Sequence, residues 1–469
     1  MKKTLSIFSL AMINVAAVGT VKNWPLIAES GFATVFYLIL SALTFFIPMA
    51  LISAELATGW PKLGGIYVWV KEAFGHRAGF LAAWLFWVEN LFWYPTILSF
   101  IAASIAYIIN PDLASNKTYT IIIMLSFFWA TTLVNLLGMK ISSAISSISV
   151  IAGSFLPGAL IIGLGFAWYF GGNPLQIDLS MKSFLPDLAS PEQLVVFVGI
   201  LLTLSGIEMS AVHAMDVKNP QRDYPRSILL SVSLILGLSI LGVLAISIVV
   251  PKETISLVAG SLQAFQYFVG VYHLGWLTPY IAFLIAVGAV GSMSTWIVGP
   301  TKSLLAAAKY GDLPPLFRKV NKHGMPHTLL ITQAIIVSCL SLAFLLMPTI
   351  NSAYWMISVI VIQLYLIMYF LMVGAAIRLR YSRPNVPRAY KIPGGNAGMW
   401  IIGTLGFLSS LCALIIGFFR PTQIAQENYF FYVCCLSLAI IGACLAPIVI
   451  LFFQKPHWKQ LLKHEKNED

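Results

Sequence analysis

The chain has 469 residues, of which 59% are hydrophobic and only 10% are charged. Because a soluble globular protein carries about 25% charged residues, this composition excludes a large water-soluble domain. The formal net charge of +11 does not indicate nucleic-acid binding, since the basic residues are confined to short segments between long apolar runs. That distribution is typical of a membrane protein whose basic loops face anionic lipid.

The apolar runs are long enough to be transmembrane helices. An α-helix needs about 20 apolar residues to cross the hydrocarbon core of a bilayer, and the sequence contains twelve runs of that kind. We predict spans at residues 5–22, 32–57, 79–109, 118–137, 142–170, 193–213, 226–250, 275–308, 327–348, 353–377, 400–419 and 428–453.

The basic residues lie mainly in alternate gaps between these spans. Most of the 28 Lys and Arg residues are at the two termini and in one set of gaps, whereas the other set holds only Lys117, Lys182, Lys252 and Arg420. Because translocation disfavours basic loops, the rich side is expected to be cytoplasmic. The pattern predicts a multi-pass protein of the cytoplasmic (inner) membrane with both termini inside.

The first and sixth predicted spans contain residues that interrupt a helix. In the first span Gly19 weakens the helix, Thr20 can bond its own backbone, and Pro25 is expected to stop the helix. Lys22 adds a charge close to the hydrocarbon. The corresponding group in the sixth span, in mid-membrane, is Ser205, Gly206, Glu208 and Ser210.

Two interrupted helices five spans apart have a structural meaning. Corresponding breaks in two five-helix halves are typical of transporters built from inverted repeats. The amino end of a half-helix offers partial positive charge to an anion, and freed carbonyls accept from a cation. An α-amino acid carries both groups, so the pattern predicts an amino acid site near the membrane midplane. From these residues alone an alternative stays open, in which Gly19 and Gly206 only permit close helix packing.

Several motifs form a recognisable set along the chain. They are Ala54-Glu55-Leu56 before Pro61 and Gly64-Gly65, Asn135 with Gly138, Ser205-Gly206-Ile207-Glu208, and Lys218-Asn219-Pro220-Gln221-Arg222. Together they resemble the amino acid–polyamine–organocation superfamily of permeases over nearly the whole length. The chain is most similar to the glutamate/γ-aminobutyrate antiporter family within it, in the stretches 180–187, 219–225, 296–300, 320–322, 365–370 and 392–395.

The resemblance implies an all-α membrane fold of twelve helices. Five helices (residues 1–170) and an inverted repeat of five (193–377), each beginning with a broken helix, form a LeuT-like core. Two additional helices (400–453) and a short cytoplasmic tail (454–469) follow. The implied activity is exchange of glutamate, γ-aminobutyrate or neutral amino acids by alternating access, with proton-coupled symport as the alternative. The expected partners are a small amino acid and the lipid bilayer, with no nucleic acid, metal or other cofactor.

The resemblance also assigns residues to the substrate site. Trp296 matches an aromatic residue that packs on the substrate in the family, and Tyr365 and Tyr369 match tyrosines that line the cavity. Ser292 stands where the glutamate transporter has an acidic residue, and Lys22 stands where a tyrosine is expected. The predicted substrate-binding set is Ala17, Gly19, Thr20, Lys22, Ser205, Gly206, Glu208, Ser292, Trp296, Tyr365 and Tyr369.

Four charged residues within the predicted spans need a partner or a cavity, because a charge at the bilayer centre costs about 2.5–3.5 kcal/mol. Glu208 matches the family's glutamate beside the break, and we expect its protonation to bias the carrier between inward and outward states. Lys22 either extends to the outer interface or faces the cavity and pairs with an anionic substrate group or a glutamate. Glu55 is expected to be interfacial or paired with a loop lysine. Glu89 is expected to face the cavity or pair with another polar group.

Two other classes of function make different demands on the sequence. An integral membrane enzyme needs paired catalytic groups, but the seven His residues are scattered. His213 and Asp216 are three residues apart, but they precede the Asn-Pro-Gln-Arg loop, where a packing role is expected. A channel needs a continuous polar stripe through several spans, which the sequence lacks.

The sequence also bears on ion coupling. Some relatives hold a lysine in the fifth span, at the place where sodium-coupled folds hold an ion. Counting from Asn135, that position is near Gly153, which is not basic. Exchange without an obligatory ion is therefore expected.

Overall fold

The computed structural model describes residues 6–62, 64–138, 149, 151–186, 191–209, 219–419, 429–456 and 458. All regular elements within these ranges are helical. Nine helices there are long and apolar enough to cross a membrane. The chain is therefore a multi-pass membrane protein of the all-α class.

The helices are numbered in chain order. A 3-10 turn, Val21–Asn23, joins α1 to α2, and π-helical turns occur at Ala42–Phe46 within α3 and at Ile151–Phe155 before α7. The helices are α1 (Ile7–Val18), α2 (Trp24–Ala28), α3 (Ala33–Gly59), α4 (Ile66–Phe74), α5 (His76–Ile109), α6 (Lys117–Leu136), α7 (Leu156–Phe170), α8 (Met181–Phe184), α9 (Pro191–Leu204), α10 (Pro220–Ser247), α11 (Gly260–Val271), α12 (Thr278–Lys309), α13 (His327–Leu346), α14 (Ile350–Ser382), α15 (Gly395–Ile416) and α16 (Tyr429–Phe452).

The first span is interrupted at Gly19 and Thr20, as predicted. Helix α1 ends at Val18, the backbone of Thr20 is extended (φ −91°, ψ 140°), and helical structure resumes in the turn Val21–Asn23. A Cβ atom on Gly19 would lie 2.9 Å from the carbonyl oxygen of Val15. Glycine therefore allows the chain to leave the helix at this point without a clash.

The first span continues beyond this interruption, and the prediction that Pro25 stops it is wrong. Pro25 lies in the first turn of α2, where its missing N–H group breaks no helical hydrogen bond. The neighbouring Trp24 is packed against two glycines: a Cβ on Gly242 would lie 2.3 Å from its ring, and one on Gly158 would lie 3.2 Å from it. Packing on α7 and α10 thus holds the second half-helix in place.

The sixth span has a matching interruption at Ser205 and Gly206. Helix α9 ends one residue earlier, and a 3-10 turn occupies residues 207–209. Gly206 has φ 109°, a region that residues with a Cβ rarely adopt, and a Cβ there would lie 3.1 Å from the ring of Trp296. The predicted break is confirmed. Ser210, the last residue of the predicted group, lies outside the described residues.

Helices α5, α12 and α14 form the centre of the bundle, and most of their residues are buried. The segment before α7 approaches α12 very closely, because a Cβ on Gly153 would lie 2.2 Å from the Cα of Gly288. Small residues at such a contact let two helix backbones meet directly, as is common in membrane proteins. This contact fixes α12, which carries Trp296, against the fifth predicted span.

Three of the segments predicted to share one side meet at one end of the bundle. The Nδ2 of Asn321, in the α12–α13 connection, donates to the carbonyl of Leu136 at the end of α6, with a distance of 2.7 Å. The Nε2 of Gln454, after α16, donates to the carbonyl of Gly311, also at 2.7 Å. The connections after α6, α12 and α16 are therefore at the same end.

One histidine is paired with a carboxylate at this end, although no sequence spacing indicates the pair. The Nε2 of His76 lies 2.6 Å from Oδ1 of the buried Asp312, and the hydroxyl of Tyr67 lies 3.2 Å from Nδ1. Burial raises the pKa of Tyr67, so its hydroxyl keeps the proton that it can donate to the ring. The contact joins α4, α5 and the loop after α12; His213 and Asp216 lie outside the described residues.

Glu55 of α3 is the centre of a buried ion cluster at the same end. Nε and Nη2 of Arg380 in α14 each donate to one of its carboxylate oxygens at 2.6 Å. Arg388 approaches to 3.6 Å, and the backbone N–H of Ile392 donates at 2.8 Å. The predicted loop-lysine partner is wrong: the partners are two arginines, and the planar guanidinium of Arg380 matches both carboxylate oxygens. The position of Glu55 near the membrane interface stays a prediction. The cluster attaches the α14–α15 loop to α3.

Candidate functional site

A cavity lies between the two interruptions. Its empty volume is about 430 Å³, including the part open to the surroundings, and its walls come from both interrupted spans and from α5, α12 and α14. Three aromatic rings face it, those of Trp93, Trp296 and Tyr365. The polar residues of the lining are Thr20, Asn23, Glu89, Asn90, Thr203 and Ser205.

Much of the predicted site lies at this cavity. Gly19 and Gly206 form the two interruptions beside it. Ala17 belongs to α1, but its side chain is not among those described. The predicted residues whose atoms line the cavity are Thr20, Ser205, Trp296 and Tyr365.

Glu208 is bound by the two tyrosines of α14. The hydroxyl of Tyr369 donates to Oε2 at 2.7 Å, and the hydroxyl of Tyr365 donates to Oε1. The N–H of Gly206 in turn donates to the Tyr369 hydroxyl at 3.0 Å. The i, i+4 spacing that predicts both tyrosines on one helix face is confirmed. Each carboxylate oxygen of Glu208 therefore has a donor, and the break in the sixth span is connected to α14.

Trp296 covers the interruption of the sixth span. Its ring lies against Gly206 and packs on Trp93 of α5, with 5.6 Å between ring centroids. The Tyr94 hydroxyl donates to the Trp296 carbonyl at 3.0 Å, which fixes the backbone. The indole Nε1–H of Trp296 is buried and has no acceptor within the described part of the chain. A donor without an acceptor is thus available at the cavity wall.

Lys22 is buried in the bundle, so the alternative in which it extends to the interface is wrong. Its side chain is only 2% exposed, and Nζ donates to Thr96 Oγ1 of α5 at 2.9 Å and lies 3.4 Å from Asn23 Oδ1. The rings of Trp93 and Tyr354 lie 5.4 and 5.3 Å from Nζ. The physical reason is that the span continues after the break, which places Lys22 mid-bundle rather than at a helix end. Its hydrogen bonds are to neutral groups and not to either predicted glutamate.

Ser292 does not line the main cavity but a neighbouring one of about 220 Å³. Its Oγ is buried and without a hydrogen-bond partner among the described residues. Thr20 lines both cavities, and Lys22 and Gly153 line the smaller one. Although position 153 is not basic, Lys22 brings a basic side chain to the same cavity from another span.

Part of the lining was not predicted. Glu89 faces the cavity, accepts a hydrogen bond from Nδ2 of Asn90, and so meets both parts of its prediction. Asn23 and Trp93 were not proposed as site residues. The spacing i, i+4, i+7 of Glu89, Trp93 and Thr96 places all three on one face of α5. This spacing is the sequence feature from which the position of Trp93 beside Glu89 could have been predicted.

The comparisons with known proteins agree with this architecture. The family model for amino acid permeases matches residues 3–443. An uncharacterized transporter of Legionella pneumophila is 47% identical over 464 residues, covering 99% of each chain. The glutamate/gamma-aminobutyrate antiporter of Lactococcus lactis is 34% identical over 96% of this chain and 90% of its own length. A probable agmatine/putrescine antiporter of the same species is 27% identical over 88% of each chain. The chain therefore belongs to the amino acid permease family of the amino acid–polyamine–organocation superfamily.

Proposed function

We propose that the protein is a secondary-active amino acid exchanger of the cytoplasmic membrane that works by alternating access. In this proposal both termini are cytoplasmic, and residues 1–170 and 193–377 are two inverted repeats of five spans. Residues 400–453 form two further spans, and 454–469 form a short tail. The nine long helices supply most of the twelve spans, and the interrupted first and sixth spans and α7 supply the others.

The observation that supports this function best is that the interruptions of both spans lie beside one cavity. The first N–H groups of a helix have no partners within it, so the start of the turn Val21–Asn23 offers donors to a substrate carboxylate. The last carbonyls of α1 and α9 are acceptors for an ammonium group. Thr20 and Ser205 add polar groups beside them, and Trp296 is the proposed aromatic cover over the bound substrate.

Alternating access is supported by the contacts of α14. Tyr369 links this helix to the break and to Glu208, so a change at the substrate site is transmitted to a long central helix. Glu208 is the proposed group whose protonation biases the inward and outward states. Exchange rather than one-way transport is supported by two relatives from Lactococcus lactis, one named as an antiporter and the other as a probable antiporter. Proton-coupled symport is the alternative mechanism.

Counterflow in proteoliposomes tests the proposal. Liposomes loaded with one unlabelled amino acid are assayed for uptake of each labelled amino acid and of the amines and ω-amino acids formed by decarboxylation. An exchanger gives uptake that requires internal substrate. A symporter instead gives uptake into empty liposomes under an imposed proton gradient, whereas a channel gives no trans-stimulation and an enzyme gives a changed compound. Uptake that does not depend on internal substrate for any compound would contradict exchange.

A further inference from the structure

The two carboxylates beside the cavity differ in how well they are satisfied. Both oxygens of Glu208 accept tyrosine hydroxyls. Glu89 is equally buried, yet among the described residues its donor is the side-chain amide of Asn90. A carboxylate has about four acceptor positions, and a buried charge without enough donors is strongly unfavourable. Glu89 therefore lacks donors that a molecule in the cavity can supply.

Asn90 extends the same acceptor surface. Its Nδ2 donates to Glu89 and, at 2.9 Å, to the carbonyl of Phe86, so both amide hydrogens are engaged. Its Oδ1 is buried without a hydrogen-bond partner in the described chain. Glu89 and Asn90 both line the cavity. A carboxylate next to an unused amide oxygen forms a site for a group with several N–H donors and positive charge, which describes an alkylammonium.

A group of the opposite charge, the ammonium of Lys22, is bound on the same face of α5 as Glu89. Thr96, two turns beyond Glu89, binds the Lys22 ammonium, and the helical rise separates these two positions by about 10 Å. Trp93 lies between them and faces the cavity. The half-helix amino end at residues 21–23 is on the Lys22 side as well. Lys22 lines the smaller neighbouring cavity, and Thr20 lines both cavities. The two adjoining cavities together therefore offer an ammonium, an aromatic ring and a carboxylate in that order, which is complementary to a molecule with a carboxylate and an ammonium at opposite ends.

We propose that Glu89, positioned by Asn90, determines specificity by binding the ammonium end of an ω-amino acid, the class that includes γ-aminobutyrate. This inference rests on the proposed transport function and assigns one end of its substrate. An uncharged group at that end loses the charge-assisted hydrogen bond. A second carboxylate there is repelled by Glu89 in its charged form.

The test pairs a change in the protein with a change in the ligand. Inhibition of counterflow by γ-aminobutyrate and by 4-hydroxybutyrate, in which a hydroxyl replaces the ammonium, is measured for the wild type and for Glu89→Gln. We expect the wild-type preference for γ-aminobutyrate to fall by about tenfold or more in Glu89→Gln, because a hydrogen bond to a charged group is lost. The matched control is Ser104→Ala, a buried residue of α5 whose hydroxyl donates to the Phe100 carbonyl and does not line the cavity.

The outcomes separate specificity from structure. Equal weakening of both compounds in Glu89→Gln, or an unchanged preference, overturns the inference. If Glu89→Gln exchanges nothing, Glu89→Asp, which retains the carboxylate, is expected to keep a preference for γ-aminobutyrate, and loss of that preference there would also overturn it. A wild type that shows no counterflow with any amino acid contradicts the proposed function instead, so the two failures are distinguishable.

Discussion

The hydroxyl of Tyr369 lies 2.7 Å from Oε2 of Glu208 and donates a hydrogen bond to it. The same hydroxyl accepts the N–H of Gly206 at 3.0 Å. One oxygen atom therefore connects α14 with both the interruption of the sixth span and the buried carboxylate. A displacement of the break relative to α14 must break at least one of these bonds, so in the proposed mechanism this hydroxyl couples substrate binding to helix movement.

Replacing Tyr369 with phenylalanine tests this coupling. Tyr369→Phe leaves the Gly206 N–H and one Glu208 oxygen without their partner, and each buried unsatisfied group costs about 1–3 kcal/mol. We expect the exchange rate to fall by about tenfold or more, with a lower Tm in detergent. The control is Tyr432→Phe, which removes a buried hydroxyl that donates to the Gly417 carbonyl at 2.5 Å far along the chain. Loss of stability without loss of exchange in Tyr369→Phe would show that the hydroxyl is only structural.

Gly206→Ala tests whether the break itself is required. Its φ of 109° is strained for alanine, and the new Cβ would lie 3.1 Å from the Trp296 ring. We expect a loss of stability of about 1–3 kcal/mol together with loss of exchange, measured by thermal unfolding and counterflow. Gly237→Ala is the matched control, because nothing lies within 4 Å of its added Cβ and the helix propensity favours alanine by about 1 kcal/mol. If both variants behave alike, the backbone conformation at 206 is unimportant.

The interruptions were predictable because they depend on local chemistry. Glycine, serine and threonine in an otherwise apolar run mark Gly19 and Ser205 without any knowledge of packing, and the i, i+4 pair of tyrosines indicates one helix face. The orientation of Glu89 and Lys22 depends instead on how a helix is rotated in the bundle. In a membrane protein the lipid-facing and buried faces are both apolar, so hydrophobic periodicity does not reveal that rotation. Pro25 was misjudged because its role depends on whether it begins or ends a helix.

The Glu55 cluster is equally dependent on tertiary structure, because it joins residues 325 positions apart in the sequence. Motif patterns mark Glu55 but do not identify its partners. The arginines that bind it lie at the end of α14 and in the following loop, and only the packing of α14 on α3 brings them together. The same limitation applies to the His76–Asp312 pair.

Breaking the Glu55 cluster tests its contribution to stability. Glu55→Gln leaves the buried guanidinium groups of Arg380 and Arg388 without their counter-ion, and removal of one partner of a buried ion pair costs about 3–5 kcal/mol. We expect a marked fall in Tm, measured in detergent. The double variant Glu55→Leu with Arg380→Leu should be less affected than Arg380→Leu alone, and the exposed Arg383→Ala should change little. A Tm for Glu55→Gln within error of wild type would contradict this assignment.

Glu208→Gln tests the role of protonation. Glutamine resembles the protonated carboxyl, so the variant should exchange at high pH at the rate that the wild type reaches only at low pH. The pH profile of the counterflow rate is therefore expected to become flat. Both tyrosine hydroxyls can still donate to the single amide oxygen of glutamine, although the second carboxylate oxygen is replaced by an NH2 group that does not accept. A pH profile that keeps the wild-type shape would remove Glu208 as the proton-sensing group.

Lys22→Met tests whether the buried ammonium contributes to anion recognition. Methionine keeps the unbranched apolar stem but removes the charge that Thr96 binds. We expect glutamate exchange to weaken more than glutamine exchange, by about tenfold, because a charge-assisted contact is removed. Thr96→Val, which frees the lysine without removing its charge, should change this selectivity less. Equal losses for the two substrates would indicate a purely structural lysine.

The position of bound substrate tests the account most directly. A cryo-EM map of the protein, saturated with the compound that gives the strongest counterflow, is compared with a map without it. We predict density between the two interruptions, with its carboxylate at the amino end of the turn Val21–Asn23 and Trp296 over its chain. Density elsewhere, with this cavity unchanged between the two maps, would contradict the assignment of the cavity as the transport site.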